Sequence, residues 1–203
     1  SDVCSSDLLL AQSYRFEEAR RDVDALIAIA PDYPLARGLA MHIKLNICDW
    51  NGLQQAREDI SAALQAGRQV IRPFGHLLIS DSPAEQLQCA RIAANAAHPA
   101  VARPLYSGER YNHDRIRVAY VSGDLCVHAV AFLIAGVFEH HDKSRFETFG
   151  ISYSPRDGSA MQARLERAFS RFIDVREMSN AAVAVMLREM EIDIAIDLKG
   201  YTG

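Results

Sequence analysis

From Arg115 to Leu198 the chain alternates short β-rich runs with helix-periodic stretches, and no other feature constrains its fold as strongly. Arg115–Val121 is dense in β-branched residues and stops at Ser122-Gly123-Asp124, which marks a strand. An apolar helix is expected from Ala129 to His141, then a strand over Phe146–Tyr153. Ser159 with Gln162 three residues later forms a capping box that opens a helix carrying Met161, Leu165, Ala168 and Phe169 on one face. Phe172–Val175 is a short strand. Ser179 caps a helix with Val183, Met186, Leu187 and Met190 on one face, and Ile192–Leu198 is the last strand. A β-α-β-α-β-α-β order needs crossover connections, so it gives a parallel sheet with helices on both faces, half of a doubly wound domain. Ligands in such folds lie at the carboxyl ends of the strands. Two segments therefore draw interest: Ser122 through His128, and Lys199 through Thr202.

Before residue 110 the period is helical throughout. Phe16, Ala19, Val23, Leu26, Ile27 and Ala30 stripe one helix face, and Pro31 stops it. Ala19, Val23, Leu26 and Pro31 fit the second helix of a tetratricopeptide repeat, a unit of about 34 residues. Leu39, Ile43 and Ile47 stripe a next helix, and Leu53, Ala56, Ile60 and Ala63 another. Asp49-Trp50-Asn51-Gly52 turns between them and Gly67 ends the pair. Trp50 falls in the turn rather than in the first helix, a departure from the repeat consensus. Ser82-Pro83-Ala84-Glu85 is a second capping box, with proline where its missing N–H does no harm. Leu87, Ala90, Ala94 and Ala97 form the expected apolar stripe of that helix. Residues 100–114 read as a linker. The expected organisation is residues 1–70 as tetratricopeptide-like repeats, 71–114 as helical connector and linker, and 115–203 as an α/β half-domain.

Composition removes several classes. A net charge of −4 gives no electrostatic footprint for nucleic acid. No run approaches the roughly 20 apolar residues of a membrane helix. Cys4, Cys48, Cys89 and Cys126 are scattered without a C-x-x-C pair, which argues against a zinc site and a disulfide framework and suits reduced thiols in a cytoplasmic protein. Residues 1–8, which lack an initiator methionine and a cationic n-region, are expected to be a fragment boundary or non-native sequence rather than a secretory signal.

The site candidates carry two readings each. His128 follows a strand and opens a helix whose positive end disfavours an imidazolium, which suits a base; it serves equally as a polar cap without chemistry. Asp124 binds a ligand hydroxyl or, the favoured reading, holds its loop through backbone N–H groups. Lys199 meets a phosphate and Tyr201 stacks on a sugar or base, or both are solvated loop residues. Gly200 is expected in a tight turn. His140 and His141 read as a polar helix end, without a third ligand for a metal. Neither G-x-G-x-x-G nor a P-loop is present, so dinucleotide and ATP sites lack their usual signals.

The sequence Arg115–Asp124 followed by His128 resembles the opening of the catalytic region of the O-linked N-acetylglucosamine transferase (SPINDLY-like) family. That opening is a strand, then Ser-x-Asp-Phe, then a histidine. The resemblance continues through Phe138–Glu147, Asp157-Gly158, Phe172–Val175 and Ile192–Thr202, with Cys48-Asp49-Trp50 and the Pro73–Leu87 stretch upstream. Leu125 replaces the usual phenylalanine, and Ala129 replaces the proline of eukaryotic relatives. The resemblance implies a GT-B glycosyltransferase with tetratricopeptide repeats in front, cut off before its nucleotide-binding half. It implies an inverting, metal-independent transfer of N-acetylglucosamine from UDP-N-acetylglucosamine to protein Ser or Thr hydroxyls, with no cofactor. His128 then matches an active-site position; Asp124, Lys199, Gly200, Tyr201 and Thr202 match segments bordering the sugar-nucleotide cleft. The implied partners are a nucleotide-sugar donor and a protein acceptor engaged by the repeats. The rival expectation is an interaction scaffold whose α/β part does not catalyse.

Overall fold

The computed structural model describes residues 15–101 and 104–201. The chain divides into two compact units at Ala100/Val101.

The first unit is helical: α1 (Phe16–Ile29), α2 (Ala36–Asn46), α3 (Leu53–Gln65), α4 (Pro73–His76) and α5 (Pro83–Ala97). Ala19 and Val23 of α1 bury against Ile43 of α2, as the helical stripe requires. The opposite side of α2 places Met41 with Ile60, Ala63 and Leu64 of α3, with Ile71, and with Cys89 of α5. The expected connector, residues 71–114, is thus divided: α4 and α5 share the first unit's core, and residues 101–114 fall in the second. The stripe expected on α5 is out of phase. Leu87 faces solvent, whereas Cys89 is buried, Ile92 packs beside it, and the Cys89 thiol reaches the Ile71 carbonyl at 3.5 Å. The Ser82 cap forms, accepting from the Glu85 N–H at 3.4 Å. The reciprocal half of that box does not form. The Glu85 carboxylate instead accepts from Ser80 and Ser61, cross-linking α5 to α3.

The second unit runs β1 (Ile116–Ser122), α6 (Ala129–Glu139), β2 (Phe146–Ser152), α7 (Ala160–Ala168), β3 (Arg171–Asp174), α8 (Asn180–Glu189) and β4 (Ile194–Asp197). All pairings are parallel, and the strand order is β3-β2-β1-β4. The period of two explains the layers. Val118 and Tyr120 point to one face, where they meet Ala135 and Phe138 of α6 and Met161 and Leu165 of α7. Ala119 and Val121 point to the other, where Val183, Met186 and Leu187 of α8 cover the sheet. The chain steps outward from β1 to β3, then crosses to the opposite edge of β1. That reversal is the topological switch point, and it lies between the carboxyl ends of β1 and β4.

Candidate functional site

β1 and β2 end in the same way. Ser122 and Ser152 are register partners, both buried, and each accepts through Oγ the N–H two residues on: Asp124 at 3.0 Å and Ser154 at 3.2 Å. Past these turns the two loops interlock. The Leu125 N–H donates to Ser154 Oγ at 2.6 Å, and Ser154 Oγ donates to the Ser122 carbonyl at 3.5 Å. The Val127 N–H donates to Asp157 Oδ2 at 2.7 Å. Leu125 is fully buried in the core under the loop.

This frame delivers His128 to the N-cap of α6, with extended backbone at φ −150° and ψ 152°. Its Nδ1 accepts the Val130 N–H at 3.2 Å, while 44% of the side chain remains exposed. The geometry shows the polar cap: Nδ1 holds the first turn of the helix. A neutral ring that accepts at Nδ1 carries its proton on Nε2 and is a donor there. To accept a proton at Nε2 it must hold its own on Nδ1, the nitrogen that lies 3.9 Å from Asp124 Oδ1.

Asp124 does not hold its loop through backbone N–H groups, as the sequence favoured. Among the described residues those bonds go to Ser122, Ser154 and Asp157 instead. Its carboxylate, 9% exposed, takes the Lys199 ammonium at 3.0 and 3.1 Å. An ion pair thus bridges the carboxyl ends of β1 and β4, across the switch point. Lys199 is held in turn by Asp197, whose carboxylate accepts the N–H of Lys199 at 2.8 Å and of Gly200 at 3.1 Å. Gly200 has φ of 54°, the left-handed region that favours glycine, as a tight turn requires. Tyr201 is half-exposed beside it. Thr202 lies outside the described residues.

The sequence did not single out Tyr153, and it named Asp157 only within a segment that carries the family resemblance. Tyr153 follows β2 directly, and its ring lies against Gly123. Burial, with the Asp197 and Asp124 carboxylates, pushes the Tyr153 phenol up against an opposing pull from Lys199. It is therefore a neutral donor at neutral pH. The signal available was its position, at a strand's carboxyl end. Asp157 is held below the usual carboxylate range by the Val127 and Ser159 N–H groups. Burial and the Asp157 and Asp124 carboxylates push the Cys126 thiol up, so it stays protonated and is a poor nucleophile. A cavity of about 390 Å³ at the amino end of β4 is set apart from this cluster; there Arg188 sits over the rings of Tyr106 and Tyr111.

Among the described residues, no three His, Cys, Asp or Glu side chains gather as a metal site, and no helix is long and apolar enough to cross a membrane.

A parallel sheet in this order, with its polar groups gathered at the switch point, defines a Rossmann-like half-domain. The chain belongs to glycosyl transferase family 41, whose sequence profile matches residues 94–203. It is 24% identical over 181 residues to the probable UDP-N-acetylglucosamine–peptide N-acetylglucosaminyltransferase SEC of Arabidopsis thaliana, covering 80% of this chain and 18% of that protein. It is 29% identical over 178 residues to the UDP-N-acetylglucosamine–peptide N-acetylglucosaminyltransferase of Caenorhabditis elegans, covering 77% and 15%. The chain thus spans under a fifth of the length of these curated relatives. A variant of the Thermobaculum terrenum O-GlcNAc transferase shares the fold, with a TM-score of 0.52 and 20% identity over the whole of this chain and 46% of that one. The α/β unit is accordingly one half of a GT-B fold.

Proposed function

We propose that this chain forms the helical front and the first Rossmann-like half of an inverting glycosyltransferase. The enzyme moves N-acetylglucosamine from UDP-N-acetylglucosamine to Ser or Thr hydroxyls of proteins. The observation that carries the reading is the cluster of His128, Asp124 and Lys199 at the carboxyl ends of β1 and β4, in a chain of this family.

In such a transfer the acceptor oxygen bonds to the anomeric carbon, the bond from that carbon to the diphosphate oxygen breaks, and UDP leaves. The acceptor hydroxyl loses its proton. His128 is the proposed base: when Nδ1 gives up the Val130 N–H and carries the ring's proton toward Asp124, 3.9 Å away, Nε2 is free to accept the hydroxyl proton. Lys199 fixes the Asp124 carboxylate in that place. Neither metal nor cofactor enters the scheme. The helical unit is the proposed seat of the acceptor protein.

The test uses the full-length protein with UDP-N-acetylglucosamine and Ser/Thr peptides. Mass spectrometry should find one added N-acetylhexosamine on a hydroxyl residue, NMR should find the β-anomer, and EDTA should leave the rate unchanged. Absence of both transfer and sugar-nucleotide binding would overturn the proposal. Loss of transfer on chelation would overturn its metal independence.

A further inference from the structure

We propose that Tyr153 positions the donor sugar: the open side of its ring is the platform on which the pyranose of the sugar nucleotide packs. The inference rests on the glycosyltransferase reading and adds to it a residue that the catalytic scheme does not use.

Three observations converge on this side chain. The first is its place. Tyr153 is the residue after β2, and its N–H donates to the Ser122 carbonyl at 3.1 Å, so its backbone is locked to the end of β1. The second is the seating of the ring. A Cβ on Gly123 would stand 2.5 Å from Tyr153 Cε2, 3.0 Å from Cδ2 and 3.2 Å from Cζ. Glycine at 123 is what lets the ring lie down across the end of β1. The third is the open side. Tyr153 remains 41% exposed, whereas the neighbouring apolar side chains Leu125 and Ile151 are fully buried. A ring serving only to fill the core under these loops would be buried like them.

The ring also reaches toward the other strand end. The charges of Asp197, Lys199 and Asp124 all act on its phenol. Tyr153 therefore extends from the end of β2, over the end of β1, toward the end of β4, which is across the switch point. His128 caps α6 at the end of the same β1 loop.

The chemistry of the ligand follows from the shape of the platform. One face of a hexopyranose presents C–H groups, and such a face packs on an aromatic ring, while the hydroxyls around the sugar's rim take hydrogen bonds. A tyrosine ring already seated against Gly123 loses little further freedom when a sugar arrives. Its hydroxyl, neutral and at the edge of the platform, is available as a donor to a sugar oxygen. A nucleobase stacks on an aromatic ring as readily as a sugar does, so the affinity for UDP tells the two apart.

That distinction sets the test. Dissociation constants for UDP-N-acetylglucosamine and for UDP are measured by calorimetry on the full-length protein, as wild type, Tyr153→Ala and Tyr153→Phe. Tyr153→Ala should weaken the sugar nucleotide on the order of tenfold, the size of one aromatic contact, and leave UDP unchanged. Tyr153→Phe, which keeps the platform, should hold the sugar nucleotide within about threefold of wild type. Unchanged UDP binding doubles as proof that the variant is folded. Equal weakening of both ligands would make Tyr153 a structural strut and overturn the inference. So would a Tyr153→Ala protein with unaltered affinity for the sugar nucleotide, or one in which only the KM for the acceptor peptide rises. If the wild type binds neither ligand, the glycosyltransferase reading falls, and this inference falls with it.

Discussion

The loops after β1 and β2 begin alike and diverge at their far ends. Each leaves its strand through a buried serine that accepts the N–H two residues on, and each ends in a side chain that caps the next helix. On the β2 loop the cap is Ser159, accepting the Gln162 N–H at 3.0 Å. On the β1 loop it is His128, accepting the Val130 N–H at 3.2 Å. Hydroxyl and imidazole both satisfy the helix, but only the imidazole has a second ring nitrogen that can take up a proton near neutral pH. The second loop also holds the first: Ser154 and Asp157 accept its N–H groups, and the Tyr153 N–H and Ser154 hydroxyl donate to the Ser122 carbonyl. The β2 loop is the frame, and the β1 loop is what it carries.

The largest effect should separate the two caps. His128→Ala and Ser159→Ala each remove one cap and should each lower stability by about 0.5–2 kcal/mol in denaturant titration. Only His128→Ala should lose turnover in the full-length protein, on the order of 10²–10⁴, with UDP binding nearly unchanged. Wild-type transfer by the His128→Ala protein would erase the contrast between the loops.

A smaller effect should separate their glycines. Gly158 has φ of 64°, and nothing would meet a Cβ there, so Gly158→Ala meets only backbone strain, about 1–2 kcal/mol of stability. At Gly123 the new methyl meets the Tyr153 ring. Being half-exposed, the ring can swing away, so Gly123→Ala should mainly weaken the sugar nucleotide, on the order of tenfold. Equal loss of stability in both variants, with donor affinity intact in both, would refute the difference.

The smallest effect concerns the tie between the loops. The Asp157 carboxyl is lowered in the folded protein, first by the Val127 N–H. Its contribution is therefore complete above the ordinary carboxylate range, about pH 4, and is lost as pH falls through the lowered value. The Val127 amide should show a titration step below that range in NMR, absent in Asp157→Ala. A wild-type amide without the step would mean that the loops are not tied by this bond.

The contrast also shows where sequence reading succeeds. Serine caps, strand runs and the β/α alternation are local, so Ser82, Ser159 and Ser179 and the four strands were legible. What lies across the chain was not. Asp124 and Lys199 were both candidates, yet their pairing joins residues 75 positions apart and depends on β4 crossing to the far side of β1. The second halves of the capping boxes failed for a similar reason. Glu85 found hydroxyls on α3 and beside its own cap, and Gln162 accepts the Gly158 N–H at 3.2 Å instead of that of Ser159. On α5 the alanine-rich stripe was one phase off, because small side chains define a helix face weakly and Cys89, not Leu87, turned inward. Tyr153 read as the tail of a strand; its partner is a missing Cβ, which no pattern of side chains reveals.

The strand order has a consequence during synthesis. β1 is made first among the strands, and β2 can close one of its edges early. The other edge waits for β4: the Arg117 N–H meets the Asp193 carboxylate, 76 residues further along, just before Val118 pairs with Ile194. Until the ribosome has released that segment, the central strand offers a row of unpaired amides, the kind of edge that recruits a neighbouring chain. Substitutions that weaken β4 should therefore lower the yield of correctly folded protein more than they lower the stability of molecules already folded.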